Sequence, residues 1–321
     1  MIKKILILSL GLLVALIGGG FCYLQLKQPN SLPPQDIQVP STPEAIARGE
    51  YIFTVLADCD GCHSQRDTTK FGLPVIVSGR GRGFTFPPEL GLPGNVTAPN
   101  ITSDMETGIG AWTNGEKIRA IREGISRDGR ALFSFMPYQS FAKMSDKDVL
   151  SLVAYINTLP PVKNATPRTE LKFPVNLLIK FDPAPARNVP EMADKGEYLV
   201  TIAECKTCHT ILKDGVPTPG MEFAGGEPFS MLGFKVVSAN ITPDNDTGIG
   251  KLSEAEFVEK FRQYRKYDVE GAPPLTADNF TLMPWLPFSR LSDEELKAIY
   301  GYLRKVKPVS HAVETRPGAA K

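Results

Sequence analysis

A chain of 321 residues, 42% hydrophobic and 22% charged, is long enough for one large or two ordinary domains and has the composition of a folded protein, not a disordered one. Its 28 glycines and 28 prolines predict much loop. The formal net charge of +1 becomes −2 once residues 1–29 are set aside, since these carry Lys3, Lys4 and Lys27 and no acid; with no clustered basic face, nucleic acid is excluded as a partner.

The N-terminus opens with two lysines and an almost unbroken apolar run from Ile5 to Leu26. As a helix those 22 residues would reach roughly 33 Å, enough to cross a hydrocarbon core of about 30 Å. Residues 1–29 are therefore expected to anchor the chain in a bacterial inner membrane. Lys3 and Lys4 would stay in the cytoplasm and the rest would face the periplasm. The alternative is a cleaved signal peptide, cut near Gly18–Gly20, although apolar residues continue beyond that point. Residues 30–43 read as a linker.

Beyond it the chain is written twice, with a period of about 140–147 residues. "RGEYIFTVLADCDGCH" (48–63) matches "KGEYLVTIAECKTCH" (195–209), and "NITSDMETGIG" (100–110) matches "NITPDNDTGIG" (240–250). "FMPYQSFAKMSDKDVLSLVAYINTLPPV" (135–162) matches "LMPWLPFSRLSDEELKAIYGYLRKVKPV" (282–309). Two homologous domains, 44–162 and 191–309, are expected. A Pro-rich linker (163–190), stiff or wrapped and not helical, joins them, and a tail (310–321) follows.

Each copy is expected to open with a helix. In the first, Thr42 caps it, Pro43 takes the first position, and the apolar residues from Ala45 to Leu56 carry it into "CDGCH". The stretch 79–99, with its "GRGRG", reads as loop, because its spacing and prolines do not suit a nucleotide-binding turn. A second helix is expected near 115–124 and again near 253–264. The closing helices are better signalled: Ser145 with Asp148, and Ser292 with Glu295, have capping-box spacing. Prolines 160–161 and 308 stop them. No segment alternates as a sheet strand should, so each copy is expected to be mainly α.

Four of the five cysteines and two of the three histidines fall in the pentapeptides "CDGCH" (59–63) and "CKTCH" (205–209). A zinc site built from four cysteines would leave the adjoining histidines unexplained. A redox dithiol would need a strand–helix unit that the sequence does not offer. The favoured reading is c-type haem attachment, in which two thiols one helical turn apart form thioethers and the next histidine sits under the iron. Cys59 and Cys62 would then hold one haem with His63 on its iron, and Cys205 and Cys208 a second with His209.

With these motifs the sequence resembles the two-haem class I cytochromes c related to the cytochrome c subunits of membrane-bound alcohol and aldehyde dehydrogenases. The resemblance rests on CDGCH and CKTCH, the two "NIT…TGIG" segments and the two Met-Pro pairs, and runs from residue 44 to 309. Those subunits carry three haem motifs and this chain two, so a dehydrogenase partner is open. For the sixth position, His311 lies in the unrepeated tail and Cys22 in the anchor. Met136 and Met283 alone stand at equivalent points, 73 and 74 residues after their histidines, each before a proline. They are expected as ligands, whereas Met105, Met144, Met192, Met221 and Met231 read as packing. Trp112, Trp285, Tyr138, Arg80 and Arg82 either touch haem or are simply buried or solvated.

A His/Met pair leaves no open position and raises the potential, which suits electron transfer. The expectation is a membrane-anchored dihaem cytochrome with two covalently bound haems c. It would take electrons from a periplasmic dehydrogenase or quinol-oxidising complex and pass them to a soluble carrier or terminal oxidase of a respiratory chain. It is not expected to be an enzyme by itself. The alternatives are a dihaem enzyme (a peroxidase or sulfur-compound dehydrogenase) with one openable haem, and a sensor or structural subunit.

Overall fold

The computed structural model describes residues 2–213 and 215–317. Met1 of the expected anchor and residues 318–321 of the expected tail lie outside them. Helix α1 (Ile2–Leu26) buries none of its residues and is long and apolar enough to cross a membrane, a test that a signal sequence also passes.

In the first copy, α2 spans Pro43–Tyr51, and the Thr42 side chain accepts the Ala45 N–H at 3.3 Å as the sequence predicts. The helix then loosens into a π-helical segment, Ile52–Leu56, whose five side chains are all buried. It does not run into the cysteine motif as expected. Asp58 turns left-handed (φ 45°) and its carboxylate accepts the Gly61 N–H at 3.1 Å, so the chain restarts as the one-turn helix α3 (Cys59–His63). Aspartate tolerates this conformation because its short side chain bonds locally.

Helix α4 (Asn114–Glu123) starts on a full capping box of Thr113 and Glu116 and ends at Gly124, φ 66°. A side chain at Gly124 would collide with the ring of Tyr138, itself buried. The short α5 (Tyr138–Phe141) and then α6 (Asp146–Ile156) complete this half, and α6 packs along α2.

Residues 163–190 wrap the first half, as expected, but are not free of helix. Glu170–Leu171 pairs with Gly94–Asn95, and a helical turn α7 (Val175–Leu178) continues as 3-10 helix to Phe181. Leu177, buried at the centre of this segment, gives the turn its reason to form.

The second half repeats the order: α8 (Lys195–Ile202), α9 (Cys205–Cys208), α10 (Glu254–Arg262), an extra turn α11 (Tyr267–Glu270), α12 (Trp285–Phe288) and α13 (Asp293–Leu303). Among the described residues the strands form only two-stranded antiparallel pairs. The longest, Pro228–Met231 with Phe234–Val237, lacks the alternation that would announce it as a sheet strand. One continuous apolar core, including Phe53, Leu56, Leu152, Leu199, Ile202 and Leu296, runs through both halves.

Candidate haem sites

The two cysteine motifs are built alike. Glu204 takes the left-handed place of Asp58 (φ 59°), and α9 follows as α3 does. The one-turn helix brings each pair of thiols to one side, and no described cysteine is in a disulfide. Among the described residues no three His, Cys, Asp or Glu side chains converge as a metal cage would require. Burial pushes the Cys62 thiol up to about 11 and that of Cys205 to about 12. Burial, Glu204 and Cys62 push up Cys208 to about 12, so the two motifs are neighbours across the halves.

Each histidine is held by a backbone carbonyl. His63 Nδ1 lies 2.8 Å from Pro99 O, and His209 Nδ1 lies 2.7 Å from Ala239 O. Burial lowers the pKa of both rings, with the carbonyl opposing, and a neutral ring that donates from Nδ1 keeps its Nε2 lone pair for a metal. That donor set, two thiols and a pre-oriented imidazole, fits a covalently held haem c.

The repeated "NIT…TGIG" segment fixes those carbonyls. Asn100, next to Pro99, donates to Val162 O at 2.8 Å and to Thr107 Oγ1 at 3.2 Å, while its Oδ1 accepts Thr102 N–H at 3.0 Å. Asn240, next to Ala239, does the same with Val309 O (2.8 Å), Thr247 Oγ1 (3.0 Å) and Thr242 N–H (2.9 Å). One asparagine thus staples the carbonyl loop to the segment leaving the last helix. Asp104 and Asp244 close the turn behind by accepting from Thr107 and Thr247.

Met136 and Met283 sit half-buried at the core edge, each starting an inverse γ-turn. Pro137 (φ −81°, ψ 53°) and Pro284 (φ −74°, ψ 60°) occupy the centre, and the N–H groups of Tyr138 and Trp285 donate to the methionine carbonyls at 2.8 and 2.7 Å. Proline supplies the required φ and no donor is lost. The structure gives both methionines the same backbone setting, and gives Met144 and Met231 buried places as packing residues. Met105, by contrast, is 66% exposed, so packing is not its role; its loop turns on Asp104 and leaves that side chain outside.

The halves meet in a two-fold pattern. Helix α12 packs on Ile52–Leu56 and α5 on α8. Tyr51 donates to Glu295, and Tyr198 donates to Asp148, which also takes both nitrogens of the Arg48 fork at 2.9 and 2.8 Å. Arg290 of the second half donates to Thr54 O at 2.9 Å, near Asp58, which burial raises to about 7 against the pull of Arg66.

Several working residues carried no distinct sequence signal. Arg80 is no free surface arginine: it donates to Asp60 at 2.8 Å and so braces α3, while Arg82 reaches Gln65 at 3.0 Å. Residues 66–76 cross to the second half, where Phe71 stacks on Tyr264 with centroids 5.3 Å apart, and Tyr264 in turn lies 5.1 Å from Trp285. Trp112 lines an open groove with residues 34–38. The carbonyls of Pro99 and Ala239 have no side-chain signature, but the asparagine after each is repeated and marks them.

Residues 46–160 match the cytochrome c family model. The chain is 29% identical over 303 residues to the fructose dehydrogenase cytochrome subunit of Gluconobacter japonicus, covering 90% of this chain and 57% of that one. It is 28% identical to the cytochrome c subunit of a quinone alcohol dehydrogenase from Gluconobacter oxydans, covering 82% and 55%. The chain thus spans somewhat over half the length of these relatives. A dihaem cytochrome c-type protein of Cereibacter sphaeroides matches end to end, 29% identical over 94% of this chain and 98% of its own. Residues 46–160 thus match cytochrome c, a family whose members hold haem c covalently, and the chain as a whole is similar to the cytochrome c subunits of dehydrogenases.

Proposed function

We propose that the chain is a membrane-anchored dihaem cytochrome c of two such domains, 44–162 and 191–309. It passes single electrons from a dehydrogenase or quinol-oxidising complex to a soluble carrier or terminal oxidase, on the periplasmic side of a bacterial inner membrane. The observation that carries this reading is the duplication of the whole arrangement. Both cysteine motifs have the same histidine–carbonyl bond, the same asparagine staple and the same Met-Pro turn.

In this reading Cys59 and Cys62 would attach one haem and Cys205 and Cys208 the other, and His63 with Met136 and His209 with Met283 would hold the two irons. A haem c so ligated supplies a one-electron iron couple whose potential the thioether raises. The protein's part is to fix the rings and close the sites. Pro99 and Ala239 hold the imidazoles, the γ-turns hold the thioethers, and the shared core keeps the cysteine motifs side by side. With little net charge on the remainder, partner recognition rests on shape more than on long-range steering.

The mass of the purified full chain should exceed that of the polypeptide by two haems; an excess of one overturns the two-domain reading. The dithionite-reduced spectrum should not change under carbon monoxide. Gas binding at one haem would mean a labile methionine and would favour the dihaem enzyme. Met283→Ala should lower the potential of one haem and leave both attached, and an unchanged spectrum and potential would remove Met283 from the iron.

A further inference from the structure

The linker carries the most concentrated exposed apolar patch outside α1. Phe173, Leu178 and Phe181 are 71%, 51% and 48% exposed within nine residues, whereas other exposed apolar side chains, such as Val77 and Val269, are scattered. The patch lies at the C-terminal end of α1. Lys180 Nζ donates to the terminal carbonyls of Leu24 and Gln25 at 3.1 and 2.8 Å, and the Lys27 ammonium lies 5.7 Å from the centre of the Phe181 ring. Lys172 is exposed at the other edge.

Phe21 and Tyr23, exposed on the last turns of α1, are the residue types that settle at a membrane–water boundary. The patch is therefore level with the place where α1 leaves the bilayer. We propose that residues 172–181 are a second, interfacial membrane contact. Phe173, Leu178 and Phe181 enter the upper acyl region of the phospholipid leaflet, and Lys27 and Lys172 meet its phosphates. This rests on α1 being an uncleaved anchor. A lone helix followed by a flexible connector would let the haem domains swing freely. Two contacts fix the height and tilt of the first half, and so the face it turns to membrane partners.

The test uses the full haem-loaded chain in vesicles of phosphatidylcholine and phosphatidylglycerol containing a phosphatidylcholine with a diazirine on its acyl chain. After illumination, lipid adducts are mapped by peptide mass spectrometry. Adducts are expected on α1 and on the peptides from Phe173 to Arg187, several-fold above the peptide that contains Val269. In the Phe173→Ser/Leu178→Ser/Phe181→Ser variant the linker adducts should vanish, with those on α1 and the reduced haem spectrum unchanged. Label on α1 with the linker at the Val269 level overturns the contact and leaves the anchor standing; a second copy of the chain covering the patch would give that result. Absence of label from both removes the anchor and the contact together.

Discussion

The two halves use one capping signal in two ways. In α13 the Glu295 side chain reaches back to the Ser292 N–H at 2.9 Å and closes a full capping box, while also receiving Tyr51. In α6 the Ser145 side chain accepts the Asp148 N–H at 3.2 Å, but nothing returns. Aspartate is one methylene shorter, and its carboxylate instead faces Arg48 and Tyr198. Where the second copy has Lys195, which is exposed, the first has Arg48, whose planar fork suits a bidentate carboxylate. A duplicated motif can thus keep its sequence pattern while one copy spends its carboxylate locally and the other on tertiary structure.

Breaking this asymmetry should give graded effects. The largest is expected from the segment that crosses to the second half: Phe71→Ala should destabilise the chain by about 3–4 kcal/mol in urea unfolding, since a buried aromatic is lost. Asp148→Ala, which strands Arg48 and Tyr198, should cost about 2–3 kcal/mol. Glu295→Ala should cost only about 1–2 kcal/mol, a helix cap and one hydrogen bond. Equal losses at the two positions would erase the distinction. Tyr51→Phe and Tyr198→Phe should each cost about 1 kcal/mol.

The same contrast has a pH signature. Burial favours the protonated form of Asp148, but its bonds from Arg48 and Tyr198 outweigh that and hold its pKa below the ordinary 3.8. The folded carboxylate binds a proton less readily than the unfolded one. The stability it contributes is therefore present above about pH 4 and is lost as the pH falls through the depressed value. Acid unfolding of Asp148→Asn should be less steep in this range than that of the native chain, and an unchanged steepness would assign the acid sensitivity elsewhere.

Much of this was legible in the residues. Thr42, Ser145 and Ser292 cap where they were expected to, because cap chemistry is local. The repeat exposed both cysteine motifs and both Met-Pro turns, because duplication sets Met136 and Met283 apart from the unrepeated methionines. What escaped was non-local or backbone in nature. The helix break at Asp58 lies within a run that is apolar and helical by pattern. The histidine-holding carbonyls of Pro99 and Ala239 have no side chain to announce them. The crossing of residues 66–76 depends on a partner surface more than 190 positions away in the chain, at Tyr264.

The linker ends in a way that separates connection from assembly. It is tied to the first half as far as Val189, whose N–H donates to Asp146 Oδ1 at 3.1 Å and whose carbonyl accepts the Asp146 N–H at 2.9 Å. The next few residues, among them exposed Pro190, Glu191 and Ala193, bridge to α8, with the solvent-exposed Lys147–Glu191 ion pair at 3.7 Å as a weak tie back to the first half. Because the core is continuous across the halves, a cut there severs a tether and not a contact. What the peptide bond contributes is effective concentration, of millimolar order for a short connection. The molecule is in that sense two fragments, 2–190 and 194–317, that meet across one apolar core and are delivered on one chain.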